Sequence, residues 1–287
     1  MNTHQKILLI GNTTSKSVLR LKKEADQMGV IFDLVAPTTV FCDSTGSLLS
    51  EWLLDTDIWS YDTYFFRGIG KKIFELKTFI DSLAVRGKDI VEPCLIGGGV
   101  FPEDKFVPKS KKGLYEFPET KNIIASTLLQ TVKEIQFPVV VKKTGSSSSM
   151  GKGVALVDSI NELEFFLSDF VGVVQVQQQH KFEYDTRVLV VGGKCLGGFD
   201  RYKKGNSFLT NRRGGRREVA NLTSDQISAA IEATELQGLE IAGVDMFFDR
   251  GRLYIIEVNS SPQFTVFEKN TEINIARYII EYLIRDK

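Results

Sequence analysis

Near the C-terminal end of this 287-residue sequence, Gly243–Val244–Asp245 is followed by an apolar segment, a turn, and then Glu257–Val258–Asn259–Ser260–Ser261–Pro262. Glu257 and Asn259 are two residues apart, so in a strand they project from one face. Asp249–Arg250–Gly251 has turn chemistry between two apolar runs. A hairpin folded about it brings Asp245 to within about one register step of Glu257. Two carboxylates and an amide, with no Cys or His beside them, form a hard-oxygen donor set suited to Mg2+ or Mn2+ and wrong for zinc. Facing acids repel in a bare sheet, and a bound cation would remove that conflict. Asp245, Glu257 and Asn259 are therefore the candidate metal ligands. Two strands that simply end in polar residues are the plainer reading of the same positions.

A second segment, Val139–Val140–Val141–Lys142–Lys143, runs into Thr144–Gly145, four serines, Met150–Gly151–Lys152 and Gly153. A strand delivers a lysine, and a loop of small residues returns into another strand. Such a loop lets backbone N–H groups approach phosphate oxygens, and a lysine at its root adds a compact positive charge. Ser147, Ser148, Gly151 and Gly153 are the candidate phosphate-contacting positions, with Lys142 beside them. The loop is not a Walker A motif, because Lys152 is followed by glycine and a strand follows where a helix would be required. A flexible hairpin tip is the alternative.

The run Gln177–Gln178–Gln179–His180 ends an apolar strand, and Asp185–Thr186–Arg187 follows. A strand leaving a lobe through polar residues can offer its edge to a nucleotide base, so these four residues, Asp185 and Arg187 are candidate nucleotide contacts. An ordinary hinge histidine and a local Asp185–Arg187 ion pair of small energetic value are the competing readings. Arg201, Asn211, Arg212, Arg213, Arg216 and Arg217 cluster around Gly214–Gly215. Guanidinium groups there would clamp phosphate or a substrate carboxylate. For Arg216 and Arg217 a solvated basic loop touching nucleic acid is an equal reading, whereas Arg201, on a strand, looks more like a site residue.

The elements that must position these groups fall into three blocks. Residues 1–100 alternate strand and helix: strands at Lys6–Ile10, Ile31–Val35 and Asp62–Phe66, with helical periodicity up to Met28 and over Gly70–Ala84. Residues 101–180 begin with a lysine-rich connection. They continue with a helix over Ile123–Ile135, strands at Pro138–Lys143, Gly153–Val157 and Val173–Gln177, and a helix opened by Ser159 and Glu162. Residues 181–287 hold strands at Arg187–Val191 and Lys194–Tyr202, a helix opened by Thr223 and Gln226, the hairpin, and a closing helix Ile273–Ile284. A composition that is 43% hydrophobic and 25% charged fits a soluble globular protein. Lys+Arg and Asp+Glu are both 36, which gives no overall basic charge for nucleic acid. Cys42, Cys94 and Cys195 lack metal-site or disulfide spacing, and no apolar stretch approaches the ~20 residues that cross a bilayer. The expectation is a cytoplasmic protein without a membrane partner.

Taken in order, FPVVVKK, SMGKGV, DTRVLVVGG, TNRRGG, GLEIAGVDMFF and IIEVNSSP resemble the ATP-grasp superfamily, and within it the RimK-like carboxylate–amine ligases. The resemblance covers roughly Phe137 to Lys287. It implies an α/β N-terminal domain followed by an α+β ATP-grasp fold whose two lobes enclose ATP. Lys142 and the Gly/Ser loop would contact phosphates, the backbone of Gln178 and Gln179 would meet adenine, and Asp185 would touch the nucleotide. Asp245, Glu257 and Asn259 would hold Mg2+ (or Mn2+). Arg201 and Asn211 would steady the transferred phosphoryl group. A second phosphate-contacting lysine is expected at Lys105, Lys111 or Lys112, with Lys105 preferred. The chain departs from the family at Gln178–Gln179–His180, where related ligases carry an acidic residue and then apolar ones.

The implied activity is an ADP-forming carbon–nitrogen ligase joining a carboxylate to an amine through an acyl-phosphate. Its partners would be small-molecule or peptide substrates, and a homo-oligomer is left open. A D-alanine–D-alanine-type ligase and a non-catalytic ATP-binding scaffold on the same fold are the alternatives.

Overall fold

The computed structural model describes residues 5–40, 57–99, 107–125, 127, 135–144, 153–205, 210 and 215–285. The strands form three sheets. In the first, β1 (Lys6–Gly11), β2 (Ile31–Val35), β3 (Thr63–Arg67) and β4 (Asp89–Ile90) are parallel in the order β2-β1-β3-β4. β1 and β3 are buried on both faces and so read as nearly unbroken apolar runs. Ile7 and Leu9 face one core and Leu8 and Ile10 the other. Helix α1 (Lys16–Gln27) covers the first side with Val18, Leu21 and Ala25, an i, i+3, i+7 stripe. Its N-terminus is capped by the Ser15 hydroxyl, which accepts from Val18 N–H at 3.2 Å. Helix α2 (Lys77–Val85) covers the second side with Phe79, Ile80 and Leu83. The single helix expected over Gly70–Ala84 is instead a 3-10 turn at Gly70–Ile73 followed by α2. Helical periodicity runs through both pieces, but the chain enters through left-handed Gly68 and no side chain caps the first turn.

The second sheet is antiparallel, in the order β5-β8-β6-β7: β5 (Thr120–Ile124), β6 (Val139–Lys143), β7 (Val154–Val157) and β8 (Val173–Gln178). Helix α3 (Ile160–Leu167) packs Leu163 and Leu167 against Val139, Val141, Val174 and Val176. The helix read over Ile123–Ile135 is corrected at its start. Ile123 and Ile124 belong to β5, an edge strand whose mixed exposure gives no alternation to read. Residues 128–134 lie outside those described.

The third sheet is antiparallel, in the order β11-β10-β9-β12-β13: β9 (Tyr184–Val191), β10 (Lys194–Tyr202), β11 (Arg217–Val219), β12 (Ile241–Asp249) and β13 (Arg252–Asn259). Two hairpins build it, each through a pair of positive-φ residues, Gly192–Gly193 and Arg250–Gly251, as two-residue turns that match strand twist require. One face carries Val188, Val190, Ala242 and Val244 against Ala229, Ala230 and Ala233 of α4 (Ser224–Leu236). That helix opens with the expected capping box of Thr223 and Gln226. The opposite face carries Leu189, Val191 and Ile241. It shares a core with β1, β3 and α1 through α5 (Thr265–Thr271) and α6 (Ile275–Leu283). The parallel sheet and the C-terminal half of the chain are therefore joined by one continuous hydrophobic layer.

Candidate active site

The candidate metal ligands lie on the two hairpin strands β12 and β13, and the register pairs Asp245 with Glu257 and Gly243 with Asn259. Asp249 pairs with Arg252 and Met246 with Ile255, so one extra residue, Ile256, is accommodated on β13 in a bulge. The bulge supplies the register step that places Asp245 opposite Glu257. Asn259 Nδ2 donates to Glu257 Oε1 at 3.1 Å and to Gly243 O at 3.3 Å. Both amide protons are thus engaged, and its Oδ1 is the atom suited to a hard cation. Among the described residues no group of three or more His, Cys, Asp or Glu is placed to hold a metal. The donor set is two carboxylates and one amide, which fits Mg2+ or Mn2+.

The charge on Asp245 is balanced by two arginines. Arg187, its cross-strand neighbour on β9, donates Nε to Oδ1 at 2.5 Å and Nη2 to Oδ2 at 2.6 Å. Arg201 Nη2 on β10 reaches Oδ2 at 2.7 Å. Arg201 also makes a two-bond fork to Asp185, Nε to Oδ1 at 2.7 Å and Nη2 to Oδ2 at 2.6 Å, and Thr210 Oγ1 donates to Asp185 Oδ2 at 2.7 Å. Arg187 Nη2 lies 3.5 Å from Glu257 Oε1. Asp185 and Arg187 thus do not pair with each other: each reaches across to the strand on its own side of β9.

Burial would raise the Asp245 carboxyl, but Arg187 and Arg201 outweigh it and hold the group well below the usual carboxylate range. Glu257 is pushed up, first by burial and then by Asp245, with Arg187, Lys142 and Asn259 pulling back. Lys142, buried on β6 of the second sheet, therefore has its charge near a residue of the third sheet. Burial works against the charge on Arg201, and Asp185 and Asp245 more than restore it.

At the crossing from β8 to β9 a recess of about 230 Å3 is lined by Gln179, His180, Lys181, Phe182, Glu183 and Lys203. His180 Nδ1 is 2.7 Å from Asp249 Oδ2, and its ring lies 4.6 Å from that of Tyr254. Phe182 stacks on Phe247 at 4.3 Å, and Lys203 Nζ sits 4.2 Å over the Phe182 ring. The Gln178 backbone N–H donates to Glu119 O at 3.1 Å. The buried Gln177 side chain donates to Thr120 Oγ1 at 2.8 Å, inside the second sheet. Lys111 and Lys112 are tied by their backbone N–H groups to Glu232 Oε1 on α4, at 3.1 and 2.9 Å. That helix covers the face of the third sheet away from Asp185, Arg187 and Asp245. Lys105, Ser147, Ser148, Gly151 and Asn211 lie outside the described residues. Gly153 begins the return into β7 and accepts from Lys143 N–H at 2.7 Å. Thr210, Lys203 and the Phe182–Phe247–Tyr254 aromatic group were not singled out from sequence. The aromatic spacing on β12 and β13 reads as ordinary strand composition.

The RimK-like ATP-grasp domain family model matches residues 114–283. The chain belongs to the RimK-like ATP-grasp family. A protein of Methanococcoides burtonii named probable alpha-L-glutamate ligase is 35% identical over 152 residues, 51% of this chain and 50% of that protein. One of the same name from Psychromonas ingrahamii is 28% identical over 293 residues, 96% of this chain and 94% of that protein. The chain spans about half the length of the first curated relatives it matches. A solved structure of the ATP-grasp ligase PsnB, complexed with a variant precursor, Mg and ADP, shares the fold at a TM-score of 0.69 and 12% identity, covering 97% of this chain and 99% of that one. Among the described residues no helix of this ATP-grasp protein is long and apolar enough to cross a membrane.

Proposed function

We propose that this ATP-grasp protein is an ADP-forming ligase that uses ATP to join a carboxylate to an amine, with an amino acid such as L-glutamate as one substrate and a small molecule or peptide end as the other. One observation carries the reading: in a RimK-like domain, Asp245, Glu257 and Asn259 share one surface with Arg187 and Arg201, within the field of Lys142. The names of the curated relatives support glutamate as the amino acid.

The physical problem of the reaction is to bring an anionic carboxylate onto an anionic triphosphate. Lys142 and Arg201 would neutralise phosphate charge, and in a buried setting each such interaction is worth more than in water. Arg201 is held in place by Asp185, which Thr210 in turn supports, so its guanidinium needs no reorganisation to meet developing charge. The recess beside His180 and Phe182 would take the base, with Lys203 in its lining. Asp245, Glu257 and Asn259 would hold Mg2+ or Mn2+, which supplies charge neutralisation at phosphate oxygens. A cation at Asp245 would share the carboxylate with Arg187, whose fork already engages one lone pair on each oxygen.

The same clamp favours a second reading, an ATP-binding scaffold, since Asp245 is electrostatically satisfied without any cation. Turnover separates the two. Purified protein given Mg-ATP, L-glutamate and a panel of peptides should release ADP and phosphate only when both substrates are present. Glu257→Gln and Lys142→Ala should lower that rate at least a hundredfold while leaving the circular dichroism spectrum intact. Parent-like turnover in both variants would overturn the assigned roles, and ATP binding without ADP release across the panel would favour the scaffold.

A further inference from the structure

The parallel sheet has an arginine that the ligase chemistry described so far does not use. Arg67 ends β3, is 1% exposed, and pairs in register with Gly11 at the end of β1. Its Nη2 donates to Pro262 O, and its guanidinium lies 5.6 Å over the Phe264 ring. Its Nη1 is buried and has no hydrogen-bond partner among the described residues. Phe65, two residues earlier, faces the core shared with α1 and Phe264, so strand alternation puts Arg67 on the same side, between the parallel sheet and the C-terminal segment.

A buried guanidinium with an idle donor is costly, and an anion is what it lacks. The acid whose charge favours it is Glu92. Burial pushes the Glu92 carboxyl up to about 8, so at neutral pH it is a poor counter-ion. Position points the same way. In the order β2-β1-β3-β4 the chain reverses direction between β1 and β3. Ligands of open parallel sheets lie outside the C-terminal ends of the strands at such a point, which is where Gly11 and Arg67 stand. The opposite rim is the segment that follows Asn259: Ser261 Oγ accepts from Gly68 N–H at 3.0 Å, leaving its own proton to donate. Ser261 is partly exposed and Asn12 is exposed, so the rim is open to solvent.

We infer that Arg67 and Ser261 form a subsite for a carboxylate group of the amino-acid or peptide substrate, between the parallel sheet and the loop leaving the Glu257–Asn259 strand. The inference rests on the ligase reading for the identity of the ligand and on the idle Nη1 for its place. The idle Nη1 is a charged donor suited to a carboxylate oxygen, and Ser261 is two residues along the chain from Asn259.

The test is direct binding, without turnover. Calorimetric titration of protein saturated with Mg2+ and AMPPNP would use L-glutamate, glutaramide (an uncharged diamide of similar chain length) and inorganic phosphate as probes. The parent should bind L-glutamate and neither of the others. Arg67→Lys, which keeps a charge and a donor for Pro262 O, should bind L-glutamate at least tenfold more weakly with AMPPNP affinity unchanged. Unchanged L-glutamate affinity in Arg67→Lys, parallel loss of AMPPNP binding, or preference for phosphate overturns the subsite. If the variant does not fold, the parent decides: L-glutamate should shift the Gly68 and Ser261 amide resonances, and silence there also overturns it. A protein that binds L-glutamate through Arg67 but releases no ADP keeps the subsite and loses the ligase reading. ADP release with an unchanged KM for L-glutamate in Arg67→Lys does the reverse.

Discussion

Arg187 grips Asp245 through two parallel hydrogen bonds, at 2.5 and 2.6 Å, from the neighbouring strand. The fork engages one lone pair on each of the two oxygens that a divalent cation would share. The arginine and the cation are competitors for one carboxylate, and the outcome sets how tightly the resting protein holds metal.

Arg187→Gln should therefore bind Mn2+ in the absence of nucleotide about tenfold more tightly, a gain of about 1.4 kcal/mol, read by electron paramagnetic resonance of free Mn2+. Arg187→Lys separates exchange of bonds from loss of charge. It keeps the charge but not the fork, so it should also gain affinity. Parent-like binding in both variants would show that Asp245 is not the metal ligand.

Asp185 compensates the buried Arg201 and receives the Thr210 hydroxyl. Asp185→Asn leaves a guanidinium without its closest counter-charge. The expected cost is about 3–5 kcal/mol, measured as a lowered urea midpoint. A loss below about 1 kcal/mol would mean that Asp245 alone sustains Arg201.

A Cβ at Gly243 would stand 2.8 Å from Pro262 Cβ. Gly243→Ala must then push the segment that Arg67 holds through Pro262 O. The expected destabilisation is about 1–3 kcal/mol by chemical denaturation, accompanied by weaker nucleotide-dependent metal binding, because Gly243 O also receives Asn259 Nδ2.

Glu92 joins the parallel sheet to the start of β12 by accepting from the Glu240 and Ile241 backbone N–H groups, at 2.6 and 3.2 Å. Burial raises its carboxyl from an ordinary 4.5 to about 8. The folded chain therefore binds this proton more tightly than the unfolded chain, and the associated stability is fully present below about 4.5 and lost as pH rises toward about 8. Thermal midpoints should fall across that window, with a slope on the order of 1.4 kcal/mol per pH unit at most. Glu92→Gln should flatten the slope even if it lowers the midpoint. An unchanged slope in the variant would assign the effect to another acid.

What was legible in the sequence was local. The Arg250–Gly251 turn fixes the hairpin, hairpin pairing puts Asp245 near Glu257, and the capping residues mark α4. Contacts between strands far apart in sequence were not legible. Arg187 and Asp245 are separated by 58 residues, and nothing at either position announces the other. The same holds for Arg67, whose partner Pro262 is 195 residues away. The misreading at Ile123–Ile124 has a different cause. An edge strand that packs on neither face as a regular alternation has no period, and β-branched residues beside a helix-like run are absorbed into it.

The extra residue at Ile256 does more than adjust pairing. Leu253 and Ile255 point into the dry interior beneath α4, and so does Val258. In an unbroken pleat Glu257 and Asn259 would point there too, and Val258 would not. One inserted residue inverts the alternation at the end of the strand, sending the oxygen-bearing side chains outward and an aliphatic one in. Deleting Ile256 would remove the bulge and still leave both ligands facing outward, whereas drawing the full-length strand into an unbroken pleat would turn them toward hydrocarbon. The capacity of this corner to hold a cation thus depends on the kink that absorbs Ile256 as much as on the kind of residues beside it.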